Sequence, residues 1–363
     1  MAKDLPVTLD GKVIYHIKLT DSFQGLAEEL KQLGYQADQK ICIISDSNVA
    51  KLYAETVKNI LTKSFPQIFC YEFQAGEASK NTDTVNGVYE FLIQNHFDRH
   101  DLMIALGGGV VGDLTGFTAA TYLRGIDFIQ VPTSLLSEVD SSIGGKTGVD
   151  FDAYKNMVGA FHMPKLVFTN INTLQTLPDN QFSAGMGEVI KHGLIKDAAY
   201  YEWLLENAAD IWARKPEALR KTVTWSNEIK RAVVEKDPTE KGDRMLLNFG
   251  HTLGHAIEKL KNFERLKGEC GALGALAAMK LSENRGMIKA EETNRFKEAL
   301  GEFHIGTQVS GLEKDAIVAA SKNDKKMDSG IIKFILIHSI GNAYVDRTVT
   351  EDEMKQALDQ VLV

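Results

Sequence analysis

Two histidines lie four residues apart within residues 248–258, a segment with a helical pattern. On a helix, His251 and His255 share one face, and Glu258 lies one turn further along. Apolar residues occupy the opposite face and would bury it. Two imidazoles on one helical face suit a divalent metal or a proton relay. The same spacing also suits two core histidines with ordinary hydrogen bonds, so the pair alone leaves these interpretations open.

A glycine-rich segment at residues 107–112 follows an apolar strand pattern and precedes a helical one. Its Gly-x-Gly-x-x-Gly spacing would let the backbone approach a pyrophosphate, whose charge the helix N-terminus attracts. Asp127, about 20 residues further on, matches the acidic position of the dinucleotide fingerprint. The motif is not in the first strand–helix unit, where it normally occurs, so a tight turn without a ligand is the alternative. We favour nucleotide binding, because consecutive glycines cost conformational entropy that a mere turn does not require.

The segment 141–147 ends like a phosphate-binding loop, but Asp140 stands where that loop begins with glycine. The motif is therefore excluded. A Gly-Gly turn presenting Lys146 remains, and Lys155 and Asn156 follow in the next segment. We expect these three side chains to converge as an anion pocket. Solvated surface lysines are the usual alternative, but the small and apolar neighbours make that interpretation the weaker one here.

Glu188 is a second candidate metal ligand, on a predicted helix with Lys191 and His192 three and four residues later. A Glu–Lys pair at this spacing is usually a surface ion pair worth a few tenths of a kcal/mol. Glycines and apolar residues flank this carboxylate, however, which favours a buried ligand. Polar side chains upstream of the histidine pair suggest a substrate with a carboxylate or phosphate, against the alternative of a charged helix surface. They are Lys230, Glu240, Arg244 and Asn248.

Strand and helix patterns alternate through the first half of the chain, as in a parallel sheet covered by helices, and helical patterns dominate afterwards. The fold class expected is α/β, with a Rossmann-like NAD-type nucleotide-binding domain at 1–180. A mainly α-helical metal- and substrate-binding domain follows at 181–363, with the active site in the cleft between them. Strand patterns lie at 7–19, 40–48, 68–73, 102–106, 125–131, 331–337 and 343–345. Helical patterns lie at 23–33, 49–64, 82–95, 183–195, 198–214, 216–236, 249–262, 270–284, 289–300, 312–320 and 351–362.

The 363 residues carry a formal net charge of −8, with 44% hydrophobic and 25% charged residues. This acidic balance argues against a nucleic-acid surface, and no apolar run reaches the length of about 20 residues that a membrane span needs. The three cysteines are scattered and odd in number, as in a reducing compartment, and the first residues show no signal-peptide pattern. We therefore expect a cytoplasmic protein without nucleic-acid or membrane partners.

Five segments, in register along nearly the whole chain, resemble the 3-dehydroquinate synthase family of sugar phosphate cyclases. They are 123–133, 139–147 (Val-Asp-Ser-Ser-Ile-Gly-Gly-Lys-Thr), 155–161, 187–191 (Gly-Glu-Val-Ile-Lys) and 248–258. The resemblance implies an NAD-binding domain, a helical domain, zinc or cobalt, and a homodimer. It also implies conversion of 3-deoxy-D-arabino-heptulosonate 7-phosphate, a sugar-acid phosphate, into 3-dehydroquinate and phosphate in the shikimate pathway. The implied steps are transient oxidation by NAD, phosphate elimination, re-reduction and intramolecular aldol closure.

The same resemblance assigns roles by position. NAD contacts would fall on Asp46, Asn48, Glu77, Lys80, Gly108, Gly109, Asp113, Thr133, Ser134, Lys146, Lys155 and Thr176. Metal ligands would be Glu188 and His251. Catalytic positions would be Asp140, Lys191, Glu240 and His255. Substrate-binding positions would be Lys146, Lys155, Asn156, Lys230, Arg244 and Asn248, with Arg124 reaching the neighbouring subunit and one of Lys325 and Lys326 completing the anion site.

One position departs from the family pattern. The family's third metal ligand is a histidine in a His-Gly-Glu motif, where this chain has Lys267-Gly268-Glu269. A protonated lysine has no lone pair to give, so it repels a divalent metal. Either two protein ligands bind metal weakly, with His192, Glu269 or a water filling the gap, or Lys267 stands in the metal's place as a fixed positive charge. The alternative functions are another sugar-phosphate cyclase, a metal-dependent alcohol dehydrogenase and a metal-deficient, catalytically weakened NAD-binding homologue.

Overall fold

The computed structural model describes residues 3–152, 154–262, 264–322 and 332–363. The chain divides into two compact units, Met1–Leu177 and Pro178–Val363. Among the described residues, no helix is both long enough and apolar enough to cross a membrane.

The first unit alternates strands and helices, as the apolar segments between amphipathic ones predict. Its strands are β1 (Lys3–Leu9), β2 (Lys12–Thr20), β3 (Ile41–Asp46), β4 (Ile68–Phe73), β5 (Leu102–Gly107), β6 (Asp127–Pro132), β7 (Lys146–Phe151), β8 (Tyr154–Phe161) and β9 (Leu166–Asn170). Its α-helices are α1 (Leu26–Gln32), α2 (Glu55–Thr62), α3 (Thr82–Gln94) and α4 (Gly109–Thr121).

Seven strands of this unit form one sheet in the order β1-β2-β9-β6-β5-β3-β4. The edge pair β1–β2 is antiparallel, and the other pairings in the described part of the sheet are parallel. From β3 the chain runs out to the edge strand β4 and then returns to β5 on the other side of β3. The carboxyl ends of β3 and β5 therefore border a crevice where strand order reverses, the usual ligand position of a parallel sheet.

Both faces of the sheet are buried by helices. On one face α1 and α2 pack against Ile43 and Ile104, and on the other α3 and α4 pack against Ile44 and Ala105. The helices that follow β3 and β5 thus leave toward opposite faces, which opens the crevice between their first residues. The continuous apolar runs of these strands are what burial on both faces requires.

Strands β7 and β8 form a separate antiparallel hairpin that packs on α4. A Cβ on Gly116 of α4 would lie 2.4 Å from the Thr147 side chain, so this glycine is what allows the close approach. The Thr147 hydroxyl donates to the carbonyl oxygen of Ala160 at 2.8 Å and fastens the two strands together. The hairpin holds Asp150 and Asn156 next to the carboxyl edge of the sheet, where both are hydrogen-bonded to Lys80.

The second unit is mainly helical. Its helices are α5 (Asp179–Lys196), α6 (Ala198–Glu206), α7 (Ala208–Trp212), α8 (Pro216–Lys236), α9 (His251–Leu260), α10 (Lys267–Asn284), α11 (Ala290–Glu302), α12 (Lys314–Ser321) and α13 (Glu351–Leu358). Two strands, β10 (Phe334–Ser339) and β11 (Asn342–Asp346), form an antiparallel pair. The predicted fold class, a parallel-sheet α/β region followed by a mainly helical one, is confirmed.

Several predicted element bounds are corrected. The sequence patterns indicate no strand at 146–151, 154–161 or 166–170, yet these residues form β7, β8 and β9. The helix predicted at 198–214 is two helices, because Asn207 turns its side chain back onto the carbonyl oxygen of Trp203 at 2.8 Å and ends α6. The helix predicted from 249 begins at His251, because Gly250 has a left-handed φ of 80°.

Candidate active site

Three consecutive glycines, Gly107, Gly108 and Gly109, form a glycine cradle at the carboxyl edge of the first unit's sheet. Gly107 ends β5, and Gly108 precedes α4, which begins at Gly109. A Cβ on Gly108 would lie 3.4 Å from the Ser134 hydroxyl oxygen, and one on Gly109 would lie 3.2 Å from that of Ser141. These glycines keep the first backbone N–H groups of α4 accessible at the positive end of a thirteen-residue helix. Such an arrangement suits an anion such as a pyrophosphate.

Asp46, Asn48 and Thr176 lie at this same edge. The Asp46 carboxylate accepts hydrogen bonds from the backbone N–H groups of Asn48 at 2.9 Å and Val49 at 3.0 Å, which closes the turn after β3. The Asn48 side chain is exposed. Thr176 follows β9, and its hydroxyl is hydrogen-bonded to the Tyr53 hydroxyl. Three of the predicted NAD contacts therefore come from the carboxyl ends of two parallel strands.

Thr133 and Ser134 follow β6 and join the glycine cradle. The backbone N–H of Thr133 donates to the carbonyl oxygen of Gly107 at 3.0 Å, and the Ser134 hydroxyl lies 2.9 Å from that of Ser137. Thr133 is thus fixed to the end of β5, and Ser134 to the turn that follows β6.

A buried carboxyl group, Glu138, lies in the turn that follows. Its Oε1 accepts a hydrogen bond from the Thr173 hydroxyl at 3.0 Å, which links this turn to the segment before Thr176. Burial raises the pKa of Glu138 well above its usual range, although the bond from Thr173 opposes the rise. The sequence prediction overlooked Glu138; its signal was a charged residue next to Val139, three residues after the apolar Leu135. Asp140, a predicted catalytic position, lies at the end of this turn and is half-buried.

Lys80 organises a polar cluster beside the same edge. Its Nζ lies 2.6 Å from Oδ2 of Asp113 on α4 and 2.5 Å from Oδ1 of Asn156 on β8, and the residue is only 5% exposed. The backbone N–H of Asn156 donates to Asp150 at 2.7 Å, and that of Asp150 donates to the Lys80 carbonyl oxygen at 2.8 Å. Asn156 has a left-handed φ of 53°, which asparagine tolerates better than most residues. The structure therefore brings Lys80, Asp113 and Asn156 together.

Glu77 and Lys155 extend this cluster. Lys155 Nζ lies 3.2 Å from Oε1 of Glu77, which is exposed in the turn before Lys80. Burial raises the pKa of Asp150, while the backbone bond from Asn156 and the charge of Lys80 limit the rise. The result is a partly buried set of two lysines and three carboxylates, a density of charge that requires close mutual pairing.

Lys146 is not brought to Lys155 and Asn156. It is the first residue of β7 and pairs with Phe161, at the opposite end of the hairpin from the turn that precedes Lys155. At about 3.4 Å per residue, the Cα atoms of the two lysines are separated by roughly 14 Å. The predicted convergence of these three side chains is therefore not seen, because the intervening residues form two extended strands.

Asp127, which matches the acidic position of the dinucleotide fingerprint in sequence, does not lie at the glycine cradle. It is the first residue of β6 and pairs with Leu102, the first residue of β5, so it lies at the opposite edge of the sheet from Gly107. There it accepts a hydrogen bond from the Tyr35 hydroxyl at 3.0 Å and pairs with Lys165 at 3.3 Å. The spacing matches the fingerprint, but the register of the strands places the residue at the other edge.

Arg124 also lies toward this opposite edge, in the turn before β6. Leu123 and Arg124 both have left-handed backbones, with φ of 50° and 70°, and Gly125 follows with φ of 119°. For residues with a Cβ this conformation costs on the order of 1 kcal/mol each. The Arg124 side chain is exposed.

In the second unit, α10 crosses α5 and approaches α9 at glycines. A Cβ on Gly268 of α10 would lie 2.0 Å from the carbonyl oxygen of Ala184 on α5. One on Gly274 would lie 1.9 Å from the carbonyl oxygen of Gly250, just before α9. Because these are backbone contacts, no other residue fits at either position. The first turns of α9 and α10 are therefore held against the middle of α5.

The Glu188 carboxylate lies where these helices meet. The residue is 3% exposed; its Oε2 pairs with Lys191 Nζ, and its Oε1 lies 3.6 Å from Nε2 of His251. A Cβ on Gly271 of α10 would lie 4.0 Å from the same Oε1. Lys267 is one helical turn before Gly271 and hence on the same face of α10. The two predicted metal ligands and the lysine in the third position are thus neighbours.

The electrostatics of Glu188 follow from these neighbours. Burial alone would raise the pKa of Glu188, but surrounding positive charges hold that pKa well below its usual range. The charges are those of Lys191, His251 and Lys267. The carboxylate is therefore ionised at neutral pH, and it already has cationic partners.

His251 and His255 stack on one face of α9, with ring centroids 4.8 Å apart and planes inclined by 24°. Nδ1 of His251 lies 3.2 Å from Oδ1 of Asn248, and Nδ2 of Asn248 donates to Oε1 of Glu240 at 2.7 Å. Glu240 has a left-handed φ of 60°, a strained conformation for this residue type. The chain of contacts fixes the His251 ring between Asn248 and Glu188. Glu258, further along α9, is buried.

Arg244 is buried in a loop that Asp237 holds together. Arg244 donates from Nη1 to the carbonyl oxygen of Pro238 at 2.6 Å. Asp237 accepts from the backbone N–H groups of Lys241, Gly242 and Arg244 at 2.9, 2.6 and 3.0 Å. Burial would raise the pKa of Asp237, but these three donors hold it below its usual value. Sequence reasoning did not single out Asp237, although an Asp-Pro pair after a long helix was the available signal.

Arg244 and Asn248 do not extend the helix that carries the histidines. Residues Asp243–Asn248 form a 3-10 segment that ends before α9 begins, so Arg244 and Asn248 do not share a helical face with the histidines. Lys230 is buried on α8. Lys325 and Lys326 lie outside the described residues.

The helices of the second unit do not provide a three-ligand metal site. Among the described residues there is no group of three or more His, Cys, Asp or Glu side chains that could hold a metal ion. His192 is buried on α5, and Glu269 is half-buried on α10; neither joins Glu188 and His251 in such a group. Structural and catalytic zinc sites use at least three protein ligands. The residues present do not fit the metal that the family resemblance implies.

Comparison with known proteins decides the family. The N-terminal model for 3-dehydroquinate synthase matches residues 70–184, and its C-terminal model matches residues 185–327. A 3-dehydroquinate synthase from Acetivibrio thermocellus is 41% identical over 315 residues, which cover 87% of this chain and 88% of that protein. The chain belongs to the 3-dehydroquinate synthase family. The resemblance predicted from the five sequence segments is confirmed.

Two further comparisons extend the match along the chain. The 3-dehydroquinate synthase of Rippkaea orientalis is 41% identical over 358 residues, with 95% of this chain and 98% of that protein covered. A solved structure of ValA, a 2-epi-5-epi-valiolone synthase from Streptomyces hygroscopicus with NAD+ and Zn2+ bound, is 25% identical, with a TM-score of 0.87 and 98% of each chain covered. This 3-dehydroquinate synthase family member therefore shares the fold of a sugar phosphate cyclase over almost its whole length.

Proposed function

We propose that the protein converts 3-deoxy-D-arabino-heptulosonate 7-phosphate into 3-dehydroquinate and phosphate, as a carbon–oxygen lyase of the shikimate pathway. The observation that carries this proposal is its membership of the 3-dehydroquinate synthase family, with 41% identity to a curated member across 87% of the chain. The alternative of a different sugar phosphate cyclase has weaker support, because the ValA likeness is 25%.

NAD is the proposed cofactor, and the residues of the first unit fit it. The accessible N–H groups of Gly108 and Gly109 suit its pyrophosphate. Around them, the side chains proposed to hold the remainder are Asp46, Asn48, Glu77, Lys80, Asp113, Thr133, Ser134, Lys146, Lys155 and Thr176. The NAD+ of the ValA structure supports the same choice. When bound, NAD supplies a hydride acceptor that is restored within each turnover, so the reaction has no net redox change.

The charged residues of each unit are proposed to bind and orient the substrate. In the first unit Lys155 and Asn156 supply donors for an anionic group, since both lie on the Lys80 cluster. Arg244 and Lys230 do the same in the second unit, where both are buried and Arg244 is fixed by its loop. A buried cation held in one geometry loses less entropy on binding a phosphate or carboxylate than a mobile surface one.

His255 is the proposed proton carrier at the substrate hydroxyl that is oxidised. Its ring is half-exposed and stacks on His251, which Asn248 and Glu240 hold in place. An imidazole is suited to this task because its ordinary pKa lies near neutral pH. Lys191 and Asp140 are proposed to assist with charge and proton positioning. The described residues do not fit a metal ion, so the proposed proton transfer and charge stabilisation use these side chains alone.

A homodimer in the cytoplasm completes the proposal. The exposed Arg124, held outward by a strained turn, suits a role at the site of a neighbouring subunit. The three cysteines Cys42, Cys70 and Cys270 are free thiols, as in a reducing compartment. Sedimentation of the purified protein at twice the monomer mass of 40.2 kDa is the expected result.

Substrate choice tests the proposed function. Phosphate release is measured with NAD present on the heptulosonate phosphate and on sedoheptulose 7-phosphate, which lacks the carboxylate. We expect the acid to be preferred in kcat/KM by at least about 100-fold, because buried cations left unpaired penalise the analogue. Preference for the non-acidic sugar would favour another cyclase, and no phosphate release from either would reject the proposal.

A further inference from the structure

Lys267 occupies an unusual position for a lysine. It is the first residue of α10, where the positive end of the helix dipole disfavours a cation. It is half-buried, and the glycine contact at Gly268 brings this end of α10 close to α5. A compensating negative charge is close by, because Glu188 is the carboxylate that α10 covers one turn further along, at Gly271.

The packing of α10 on α5 places Lys267 near Glu188. Lys267 and Gly271 are four positions apart and share one face of α10. A Cβ on Gly268, next to Lys267, would lie 2.0 Å from the carbonyl oxygen of Ala184, and one on Gly271 would lie 4.0 Å from Oε1 of Glu188, so this face of α10 lies against the turn of α5 that carries Glu188. Lys191 approaches the same carboxylate from α5 itself, at Oε2. Two ammonium groups thus flank one carboxylate from different helices.

Lys267 brings a positive charge to the position where the family pattern has a metal ligand. Lys191 belongs to the family segment 187–191, so a divalent ion in the family would add two positive charges beside it. Here Lys267 adds one, and together with Lys191 it gives two positive charges to one carboxylate, so that a positive field remains to face an approaching oxygen. Ammonium groups stabilise a developing oxyanion through hydrogen bonds and charge, although they cannot act as Lewis acids.

We propose that Lys267 takes the place of the family's divalent metal beside Lys191: the two ammonium groups stabilise the substrate oxygen that becomes negative, and the site excludes zinc and cobalt. The catalytic part of this inference rests on the proposed function. The exclusion of metal does not, because it follows from a cation without a lone pair at the third ligand position, next to the only two family ligands that the described residues retain.

Metal binding tests the exclusion without any turnover. The purified, untagged chain is incubated with zinc, desalted and analysed by inductively coupled plasma mass spectrometry. We expect the wild type to retain less than about 0.1 zinc per chain, and Lys267→His to retain about one, since a third nitrogen ligand completes the set. His251→Ala added to Lys267→His should abolish this retention. Lys63→His is the control, because Lys63 is exposed at the end of α2 in the other unit.

Turnover with and without a chelator tests the catalytic part. Phosphate release by the wild type should be unchanged by EDTA, whereas release by Lys267→His should depend on added zinc. Lys267→Met should reduce kcat by at least about 100-fold, and Lys267→Arg should restore part of it, because the charge is kept. Melting curves of both variants separate loss of the charge from loss of the fold.

The results that overturn the inference differ from those that overturn the proposed function. One equivalent of zinc on the wild type, lost on His251→Ala, would show that Lys267 does not exclude metal. Turnover abolished by EDTA and restored by zinc would overturn the catalytic part while supporting the proposed function. Absence of phosphate release under every metal condition would reject the proposed function and the catalytic part together, and zinc retention would still decide the exclusion.

Discussion

Lys80 shows how one buried side chain can hold several candidate residues in place. Its ammonium joins Asp113 of α4 to Asn156 of the β7–β8 hairpin, and its carbonyl oxygen accepts the backbone N–H of Asp150. Each partner comes from a different element, so the lysine determines where the hairpin lies on the sheet edge. A buried charge of this kind is stable only because its neighbours satisfy it.

Removing the Lys80 charge should therefore weaken NAD binding. We expect Lys80→Met to raise the NAD dissociation constant about tenfold or more, because Asp113 and Asn156 lose the partner that orients them. Fluorescence titration with NAD measures this change, and Lys63→Met is the control at an exposed lysine. An unchanged dissociation constant in a folded Lys80→Met variant would show that the cluster is structural only.

At the scale of whole elements, the position of α10 depends on glycines that touch backbone. Gly268 and Gly274 bring α10 within van der Waals distance of α5 and of the turn before α9. This close crossing is what makes Glu188, His251 and Lys267 neighbours, although they lie on three separate helices. The geometry of the cluster is therefore a consequence of helix packing rather than of local spacing.

Substitution of Gly268, where α10 crosses α5, should destabilise the protein strongly. We expect Gly268→Ala to lower the free energy of unfolding by at least about 3 kcal/mol, because its Cβ would overlap a carbonyl oxygen that cannot rotate away. The matched control is Gly301→Ala near the end of α11, where no atom lies within 4 Å of the new Cβ. That variant should be unchanged or more stable by up to about 1 kcal/mol. If Gly268→Ala and Gly301→Ala change the free energy of unfolding equally in urea denaturation, the close backbone contact between α10 and α5 is contradicted.

A second element-scale contact fastens α13 to the end of α10. Arg285, just after α10, donates from Nε and Nη2 to the Glu353 carboxylate at 2.7 and 3.0 Å, and from Nη1 to Asp346 on β11 at 2.8 Å. Hydrogen bonds from Arg285 are the main reason that the pKa of Glu353 is lowered to about 2. A bidentate arginine–carboxylate ion pair of this geometry is stronger than a single hydrogen bond.

This pair predicts a pH dependence. A carboxyl group whose pKa is lowered on folding stabilises the protein at pH values above its ordinary pKa of 4.5, and the stabilisation is lost as the pH falls toward 2. We expect Glu353→Gln to lower the free energy of unfolding at pH 7 by about 1–2 kcal/mol, a modest figure because the pair is partly exposed. The difference from wild type should shrink as the pH falls below 4.5. Urea denaturation from pH 7 to pH 3.5 measures it.

Asp352→Asn is the control for this pH dependence, since Asp352 is exposed on the same helical turn. Its effect should stay within about 0.5 kcal/mol at every pH tested. A difference between wild type and Glu353→Gln that does not change with pH would mean that the Glu353 charge does not contribute to stability.

At the scale of the molecule, the fold class and the family were predictable from sequence, whereas several contacts were not. In a chain where strand and helix patterns alternate, an apolar run such as residues 102–106 predicts a strand that is buried on both faces. The five motif segments identify the family. Lys146 and Asp127 were misjudged because strand register, which no local spacing reveals, determines which end of a strand a residue occupies. Asp237 and Glu138 escaped notice because their partners are distant or are backbone groups.

The most direct test of the proposed function counts phosphate released per NAD. The enzyme is incubated with excess heptulosonate phosphate, one equivalent of NAD and EDTA, while phosphate and the absorbance of NADH are followed together. We predict many phosphates released per NAD, 3-dehydroquinate as the product and no accumulation of NADH. NADH that rises in step with substrate consumed, without release of phosphate, would contradict it and indicate a dehydrogenase instead.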